Sequence, residues 1–522
     1  MRTSILFSVA IFFLSLISSV DVFAQNGPKR YNVLFIAIDD LKPNLKSYGF
    51  EETKTPHFDR LSETATVFTK AYCQQAVCAP TRASLLTGLR PDKTKVWDLK
   101  TLIRDKNPDI VTLPQYFKSN GYQVVGMGKI FDQRSVDKEA DAVSWSVPYI
   151  KKHRFAAGFE PPAFGHYQDP WIRSQEKAGA KMNSGSEPAI AAKKPTECLD
   201  VPDDAYADGA MTNDAIDQLK KLGSGSSPFF LAVGFRKPHL PFVAPKKYWD
   251  LYDRSKLTLA SWQEKSVNGP DIAYHESGEL RSYADIVSKD GSSDGLLRLS
   301  EDKQRELIHG YYACISYIDA QIGKLLVALK ENGLDQNTII VIWGDHGWHL
   351  GDHSLWNKHS NFEQATRVPM FIKVPGMTKG NRYAQPAEYV DIFPTLCAVN
   401  GLKVPENLDG VNLLPALKGS SEALKDFAVS QYPRGGGKNK VMGYSLRSNR
   451  YRYTEWVSNF ISTEKAFDIA DVQAVELYDL EKDPLETKNL AVDPAYKKVL
   501  NTLAEQLHQY YAQQLKTANM NN

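Results

Sequence analysis

Cysteine is scarce in this chain, five residues in 522, and no two of them stand in a C-x-x-C pair. That absence argues against a thiolate zinc site of ordinary spacing. Net charge is scarce too: 63 Lys and Arg against 61 Asp and Glu leave +2 and a pI near 8.0. Such a balance gives no overall basic field for nucleic acid, so any cationic site has to be local. No internal repeat is present. Beyond the N-terminus no apolar run reaches the roughly 20 residues that a membrane span requires. The one extended apolar run, Ile5 to Val20, follows Arg2 and leads to Val22-Phe23-Ala24-Gln25. Shorter than a span, it makes residues 1–24 read as a secretory signal peptide cleaved after Ala24. The expectation is a periplasmic or secreted protein with no membrane span after cleavage. No Cys lies near the cleavage point, which argues against a lipoprotein anchor.

What is there is globular: 42% hydrophobic and 24% charged residues, in a length that suits two or three domains. Four short runs rich in β-branched and aromatic residues end abruptly in polar ones. Val33 to Ile38 leads into Asp39-Asp40, and Tyr122 to Val125 into Gly126-Met127-Gly128-Lys129. Phe229 to Val233 leads towards Arg236-Lys237-Pro238-His239, and Ile339 to Trp343 into Gly344-Asp345-His346. Continuous apolar runs of this length predict strands buried on both faces. Helical patterns lie between them, as in Leu307 to Leu329, where Ile315, Ile318, Ile322, Leu325 and Leu326 share a stripe. Alternation of this kind predicts an α/β fold, a mostly parallel sheet sandwiched by helices. Ligands bind such sheets beyond the carboxyl ends of the strands. Two stretches, Ser135 to Asp204 and Asn268 to Ser300, have weak periodicity. They read as surface loops that shape a binding face, or as unstructured decoration. Beyond about residue 415 the pattern changes to short strands, Val441 to Arg447 and Tyr451 to Trp456, and a long helix from Ala495 to Leu515. The expected division is a large domain over 25–415 and a small α+β domain over 416–522.

Several residues at the strand ends could carry chemistry. Asp39 and Asp40 repel each other unless a cation sits between them, and hard oxygen donors favour Ca²⁺ or Mg²⁺. The alternative is a solvated pair or an N-cap. Asp345-His346 ends another strand in the same way. The segment Gly344 to His353 holds three His but follows a strand and lacks H-E-x-x-H, so zinc is disfavoured and His349 and His353 read as structural or subsite residues. Cys78, in Cys78-Ala79-Pro80-Thr81-Arg82, lies just before a helix that starts at Pro80 and is closed by Gly88. Free N–H groups at that helix start would face an anion. Without further context, Cys78 is a buried structural thiol and Arg82 a surface residue. Lys129 and Lys358 are candidate cations, though a lone Lys is more often solvated surface. His239, held between Pro238 and Pro241, can exchange a proton near neutral pH or be a structural loop residue.

The core C-x-P-x-R at Cys78 to Arg82, followed by Thr87-Gly88, resembles the type I, formylglycine-dependent sulfatase family. Leu477-Tyr478-Asp479-Leu480 with Asp483-Pro484 is similar to a C-terminal signature of that family. The motifs most resemble its iduronate-2-sulfatase-like branch. They include Ile38-Asp39-Asp40-Leu41, Gly128-Lys129-Ile130-Phe131, Lys237-Pro238-His239-Leu240-Pro241-Phe242 and Lys358-His359-Ser360-Asn361-Phe362. The resemblance runs from about residue 30 to about residue 500. It implies an alkaline-phosphatase-like large domain and oxidation of Cys78 to formylglycine (3-oxoalanine) by a maturation enzyme. It also implies one Ca²⁺ per chain held by Asp39, Asp40, Cys78, Asp345 and His346. Arg82, Lys129 and Lys358 would then hold the diol, the sulfate or the leaving oxygen, and His239 would protonate the leaving alcohol. One position departs: where that branch has His after Gly-Lys-x-Phe, this chain has Asp132. The base for sulfate release is then Asp132 or another group. The four other cysteines, Cys73, Cys198, Cys314 and Cys397, can form disulfides in three ways in an exported protein.

The implied substrate is a sulfated oligo- or polysaccharide, from marine algae (ulvan) or a glycosaminoglycan with iduronate-2-sulfate-like units. Trp97, Trp348 and His359 could line a sugar subsite or belong to the core. The other readings are a phosphonate or phosphate ester hydrolase of the same superfamily, and a non-catalytic glycan-binding relative.

Overall fold

In the computed structural model, residues 30–163, 165–177, 193–288, 294–435, 440–458 and 467–519 are described. The expected signal peptide lies outside them. The run that ends in Asp39-Asp40 forms β1 (Asn32–Ile38), all of it buried. Val33, Phe35 and Ala37 enter one apolar core, and Leu34, Ile36 and Ile38 enter another on the opposite face. That alternation is the period of two of a pleated strand covered on both sides. Each Val, Ile, Leu or Phe buried this way contributes about 1.5–3 kcal/mol.

The main sheet also contains β2 (Thr66–Phe68), β3 (Gln123–Gly128), β4 (Phe229–Phe235), β5 (Thr338–Gly344), β6 (Met370–Lys373) and β7 (Arg382–Tyr383), in the order β7-β2-β6-β5-β1-β4-β3. The four strands read from sequence are neighbours, β5-β1-β4-β3, and mutually parallel. Only β6 runs against the rest. Helix α1 (Cys78–Thr87) supplies Ala83, Leu85 and Leu86 to one core. Helices α2 (Ala207–Gly223) and α3 (Glu301–Glu331) cover the other. Helix α3 holds no unbroken apolar run of membrane-spanning length, yet it is long and apolar enough to cross a bilayer by length and average composition; 78% of its most apolar window is buried inside the protein. Its apolarity is that of a core helix.

The C-terminal sheet is antiparallel, in the order β8 (Phe427–Arg434), β9 (Val441–Ser448), β10 (Tyr451–Val457), β11 (Val472–Asp479). Helix α4 (Lys497–Asn519) packs Leu503, Leu507, Tyr510 and Tyr511 onto it. All five cysteines are free thiols, so none of the three disulfide pairings is present. The stretches expected as loops are partly ordered: Thr196–Leu199 is a strand and Gly278–Arg281 a helical turn.

The C-terminal sheet is tied to the large domain by charge as well as by apolar contact. Glu388 takes two bonds from Arg90, at 2.5 and 2.7 Å, one from Lys425 at 2.7 Å and one from the Val429 N–H at 3.0 Å. Burial pushes the Glu388 carboxyl up, but Arg90 and Lys425 outweigh it and hold the group well below the usual carboxylate range. A carboxylate depressed in this way stabilises the fold fully above its unfolded pKa of about 4.3, and loses that contribution as pH falls through the folded value. Glu388→Gln is expected to cost about 2 kcal/mol at pH 7. In urea denaturation the gap to the wild type should narrow below about pH 4. An equal gap at both pH values would mean that charge is not the cause.

Candidate active site

The four parallel strands deliver their polar ends side by side. The ladder continues past each strand: the Asp345 N–H donates to the Ile38 carbonyl at 3.1 Å, the Asp39 N–H to Phe235 at 3.1 Å and the Lys129 N–H to Gly234 at 2.8 Å. Asp345-His346, Asp39-Asp40, the Arg236–His239 loop and Lys129 are thereby fixed in one row. Gly128 is required here. Its φ is +73°, and a Cβ on it would lie 2.1 Å from the Gly234 carbonyl oxygen. Asp40 also adopts a left-handed φ of +60°. Asp tolerates that region better than most residues, at a cost of about 1–3 kcal/mol. Its N–H donates to Asp345 Oδ1 at 2.9 Å.

Helix α1 starts two residues earlier than the sequence implies, with Val77 as N-cap and Cys78 in the first turn, and ends at Gly88 in the left-handed region. Cys78 Sγ lies 3.4 Å from His346 Nε2. Arg82 is fully buried and works differently from the sequence expectation of a cation facing the diol. Nε donates to Asp345 Oδ2 at 3.0 Å and Nη2 to Asp39 Oδ1 at 3.0 Å. Nη1 donates to the carbonyls of Lys129 and of Ile130, the latter at 3.0 Å. Arg82 thus positions two carboxylates and the backbone after β3.

Three carboxylates, Asp39, Asp40 and Asp345, surround the Cys78 side chain. Ligand atoms of Asp40, Cys78, Asp345 and His346 all lie within 4.8 Å of one another, as do those of Asp39, Asp40, Cys78 and His239. Burial lifts the Asp40 carboxyl well above its ordinary range; Lys358 opposes this, while Asp39, Glu279 and Asp345 add to it. Asp39 is the reverse: burial pushes it up, but Lys129 and Arg82 hold it well below. Anionic crowding at Asp40 fits a bound cation, and the oxygen-rich donor set fits a hard divalent one. His346 approaches Gly347 O through Nδ1 at 3.1 Å, which turns Nε2 toward the cluster. An imidazole is a softer donor than Ca²⁺ usually takes.

Around this centre stand two lysines and a histidine. Lys129 Nζ lies 2.6 Å from Asp39 Oδ2 and 3.7 Å from Asp132 Oδ2. Lys358 Nζ, 3% exposed, lies 3.1 Å from Asp40 Oδ2 and 2.8 Å from Glu279 Oε2. His239 Nδ1 meets the Leu240 carbonyl at 2.5 Å, leaving Nε2 directed at Asp40 (3.9 Å) and at Glu279 Oε1 (3.3 Å, without hydrogen-bond geometry). Burial, then Lys358, pushes the His239 pKa down to about 3, so the free site holds a neutral ring. Asp132 is claimed by Arg134 through Nε at 2.9 Å and Nη2 at 2.7 Å. Burial raises its carboxyl, but Arg134 and Lys129 hold it far below the usual range, which makes it a weak base. Glu279 was not singled out from the sequence. It comes from the helical turn Gly278–Arg281, inside a stretch whose polarity looked like a loop. No periodic signal there could have marked it.

Residues 31–402 match the sulfatase family, and residues 351–513 match the C-terminal domain described as that of N-sulphoglucosamine sulphohydrolase. The chain belongs to the sulfatase family. It is a sulfuric ester hydrolase. It is 35% identical to human iduronate 2-sulfatase over 90% of this chain and 92% of that one. It is 27% identical to an ulvan-active sulfatase of Formosa agariphila, over 94% and 82%. Among solved structures, a phosphonate monoester hydrolase of Agrobacterium radiobacter superposes with a TM-score of 0.68 at 24% identity, covering 93% of this chain and 96% of that one. The alkaline-phosphatase-like fold read from the sequence is the fold of this sulfatase.

Other residues considered for this sulfatase's site lie elsewhere in its packing. His349 is held between Asp352 and Ser360, and His353 stacks on Phe362 with ring centroids 4.5 Å apart. Both are structural. Trp348 is 1% exposed, stacked on Tyr311 and edge-on to Phe242, so it is core and not a sugar platform. Trp97 donates to Asp92 and packs against the C-terminal sheet. His359 stays at the site's edge, between the rings of His275 and Tyr432.

Proposed function

We propose that the chain hydrolyses sulfate esters of an anionic carbohydrate, with residue 78 matured to formylglycine and one Ca²⁺ held by Asp39, Asp40, Asp345 and His346. The observation that carries this reading is the meeting of Cys78 with two acidic strand ends inside one buried cluster. Formylglycine supplies an oxygen nucleophile when hydrated, and Ca²⁺ supplies fixed positive charge beside the sulfate. The chain's own residues prepare the rest. Arg82 orients Asp39 and Asp345. Lys129 and Lys358 are preorganised cations on either side, where charge develops as the sulfate ester breaks. His239 keeps Nε2 toward the cleft, and an anion bound among Lys129, Lys358 and His239 offsets the repulsion from Lys358. The ring then takes a proton more readily and can pass it to the leaving oxygen. Glu279, 3.3 Å from that nitrogen, favours the protonated form. Asp132, tied to Arg134, acts by holding Lys129 in place.

The relatives' substrates suggest a sulfated uronate-containing polysaccharide, either a glycosaminoglycan or ulvan. We assign the chemistry to residues 25–415, with 416–522 as a packed subdomain, and place the mature protein in the periplasm or outside the cell. The fold shared with a phosphonate monoester hydrolase makes that activity the second reading. Steady-state assay of an aryl sulfate against an aryl phosphonate decides between them, with the higher kcat/KM expected on the sulfate. EDTA is expected to lower sulfate release by about 10²–10³-fold, and added Ca²⁺ to restore it. Full activity in EDTA would remove the metal from the proposal.

A further inference from the structure

The loop after β4 carries a second charged residue beside His239. Arg236 and Lys237 donate their backbone N–H groups to Asp208 Oδ1 and Oδ2, each at 2.9 Å. Asp208 is 4% exposed on α2. Lys237 Nζ closes the loop on the His239 and Pro241 carbonyls, at 2.7 Å each. Arg236 is thus held on a rigid loop. Its guanidinium is half-buried and makes no ion pair or hydrogen bond among the described residues; both oxygens of Asp208 already accept backbone N–H groups.

Arg236 lines a cavity of about 210 Å³ together with Asp39, Lys129, Asp132, Arg134 and His239. Within it Asp39 is neutralised by Arg82 and Lys129, and Asp132 by Arg134. Among the described residues Arg236 makes no ion pair with either carboxylate. Among the described residues Arg134 Nη1 makes no hydrogen bond, its bonds to Asp132 running through Nε and Nη2. Arg236 also lines an adjoining cavity of about 570 Å³ with Tyr149, Lys152 and Phe155. A rigid guanidinium presented to a cleft without a partner is suited to a planar or tetrahedral anion.

We propose that Arg236, with Arg134 beside it, receives a second anionic group of the substrate, a carboxylate or a further sulfate, next to the sulfate that is cleaved. This rests on the sulfatase reading above and narrows it: the preferred substrate carries at least two negative groups, on one sugar or on adjacent sugars.

The test measures binding by calorimetry in a Cys78→Ala background, so that turnover does not interfere. Three probes are used: a 2-O-sulfated uronate disaccharide with one sulfate, a disulfated glucosamine, and a monosulfated neutral sugar. Arg236→Ala is expected to weaken at least one of the two dianionic probes by about 10- to 100-fold, and the neutral-sugar sulfate by less than about threefold. Loss on the uronate identifies a carboxylate, and loss on the disulfated sugar identifies a sulfate. Arg236→Lys should recover part of the affinity. Equal weakening of all three probes, or none, overturns the proposal. Sulfate release by the wild type from the same probes is scored separately. A wild type that binds in the expected order yet releases no sulfate sinks the sulfatase reading and leaves the anion pocket standing.

Discussion

Cys78→Ala is expected to lower sulfate release by about 10⁴–10⁶-fold, the scale seen when an enzyme loses its nucleophile, while the protein stays folded. The side chain is 1% exposed, and its thiol is pushed well above its ordinary pKa by burial and by Asp39. An unmodified thiol at this place is therefore uncharged at neutral pH and a poor nucleophile. Reactivity has to come from converting it. Replacement by Ala removes only Sγ, and the adjoining Ala79 and Ala83 are already small and buried, so the helix loses about 1 kcal/mol at most. Melting curves for the two proteins should nearly coincide. Mass spectrometry of the peptide containing residue 78 supplies the second readout: in the active wild type it should be lighter than cysteine requires. Full activity in the Ala variant would end the mechanism. An unmodified peptide in an inactive wild type would favour the glycan-binding reading.

Most of this site could be read from the sequence because it is built at strand ends. Four buried strands need continuous apolar runs, and each run stops where the chain leaves the sheet. Asp39-Asp40 and Asp345-His346 therefore stood out, and their meeting follows from the parallel pairing of β1 with β5. What could not be read arrives by tertiary contact. Glu279 sits on one turn of helix, placed by Leu280, whose buried side chain and N–H bond to Asn357 Oδ1 at 3.3 Å anchor it. His166, stacked parallel to His239 at 6.5 Å, comes from the other aperiodic stretch. Neither has a repeating pattern to betray it. The roles of Arg82 and Trp348 were open for a different reason. A residue type names a capability, and only packing decides whether a guanidinium faces a ligand or a carboxylate, or whether an indole faces a sugar or the rings of Tyr311 and Phe242.

Arg82→Met is expected to cost about 3–5 kcal/mol in urea denaturation and to remove activity as well. One guanidinium serves four acceptors on three segments: Asp39 after β1, Asp345 after β5, and the carbonyls of Lys129 and Ile130 after β3. A methionine fills the space beside Trp343, where the guanidinium now lies 5.3 Å from the ring centroid, but takes the Arg82 donor from Asp39 Oδ1, Asp345 Oδ2 and two buried carbonyls, leaving Lys129 as the cation on Asp39. Arg82→Lys should recover little, because a single ammonium cannot span two carboxylates and two carbonyls. The pH dependence has a definite sign. Arg82 helps to hold the Asp39 carboxyl below its unfolded value of about 3.9, so its contribution is complete above that pH and declines as the pH falls further. Wild type and variant should therefore approach each other in acid. Added Ca²⁺ should stabilise the variant more than it stabilises the wild type, since a divalent ion can replace part of the missing charge at Asp39 and Asp345. A variant within about 1 kcal/mol of the wild type at pH 7, with Ca²⁺ raising both equally, would mean that the carboxylates do not depend on Arg82. The positioning role assigned to it would then fall, and the cluster would rest on the strand ends alone.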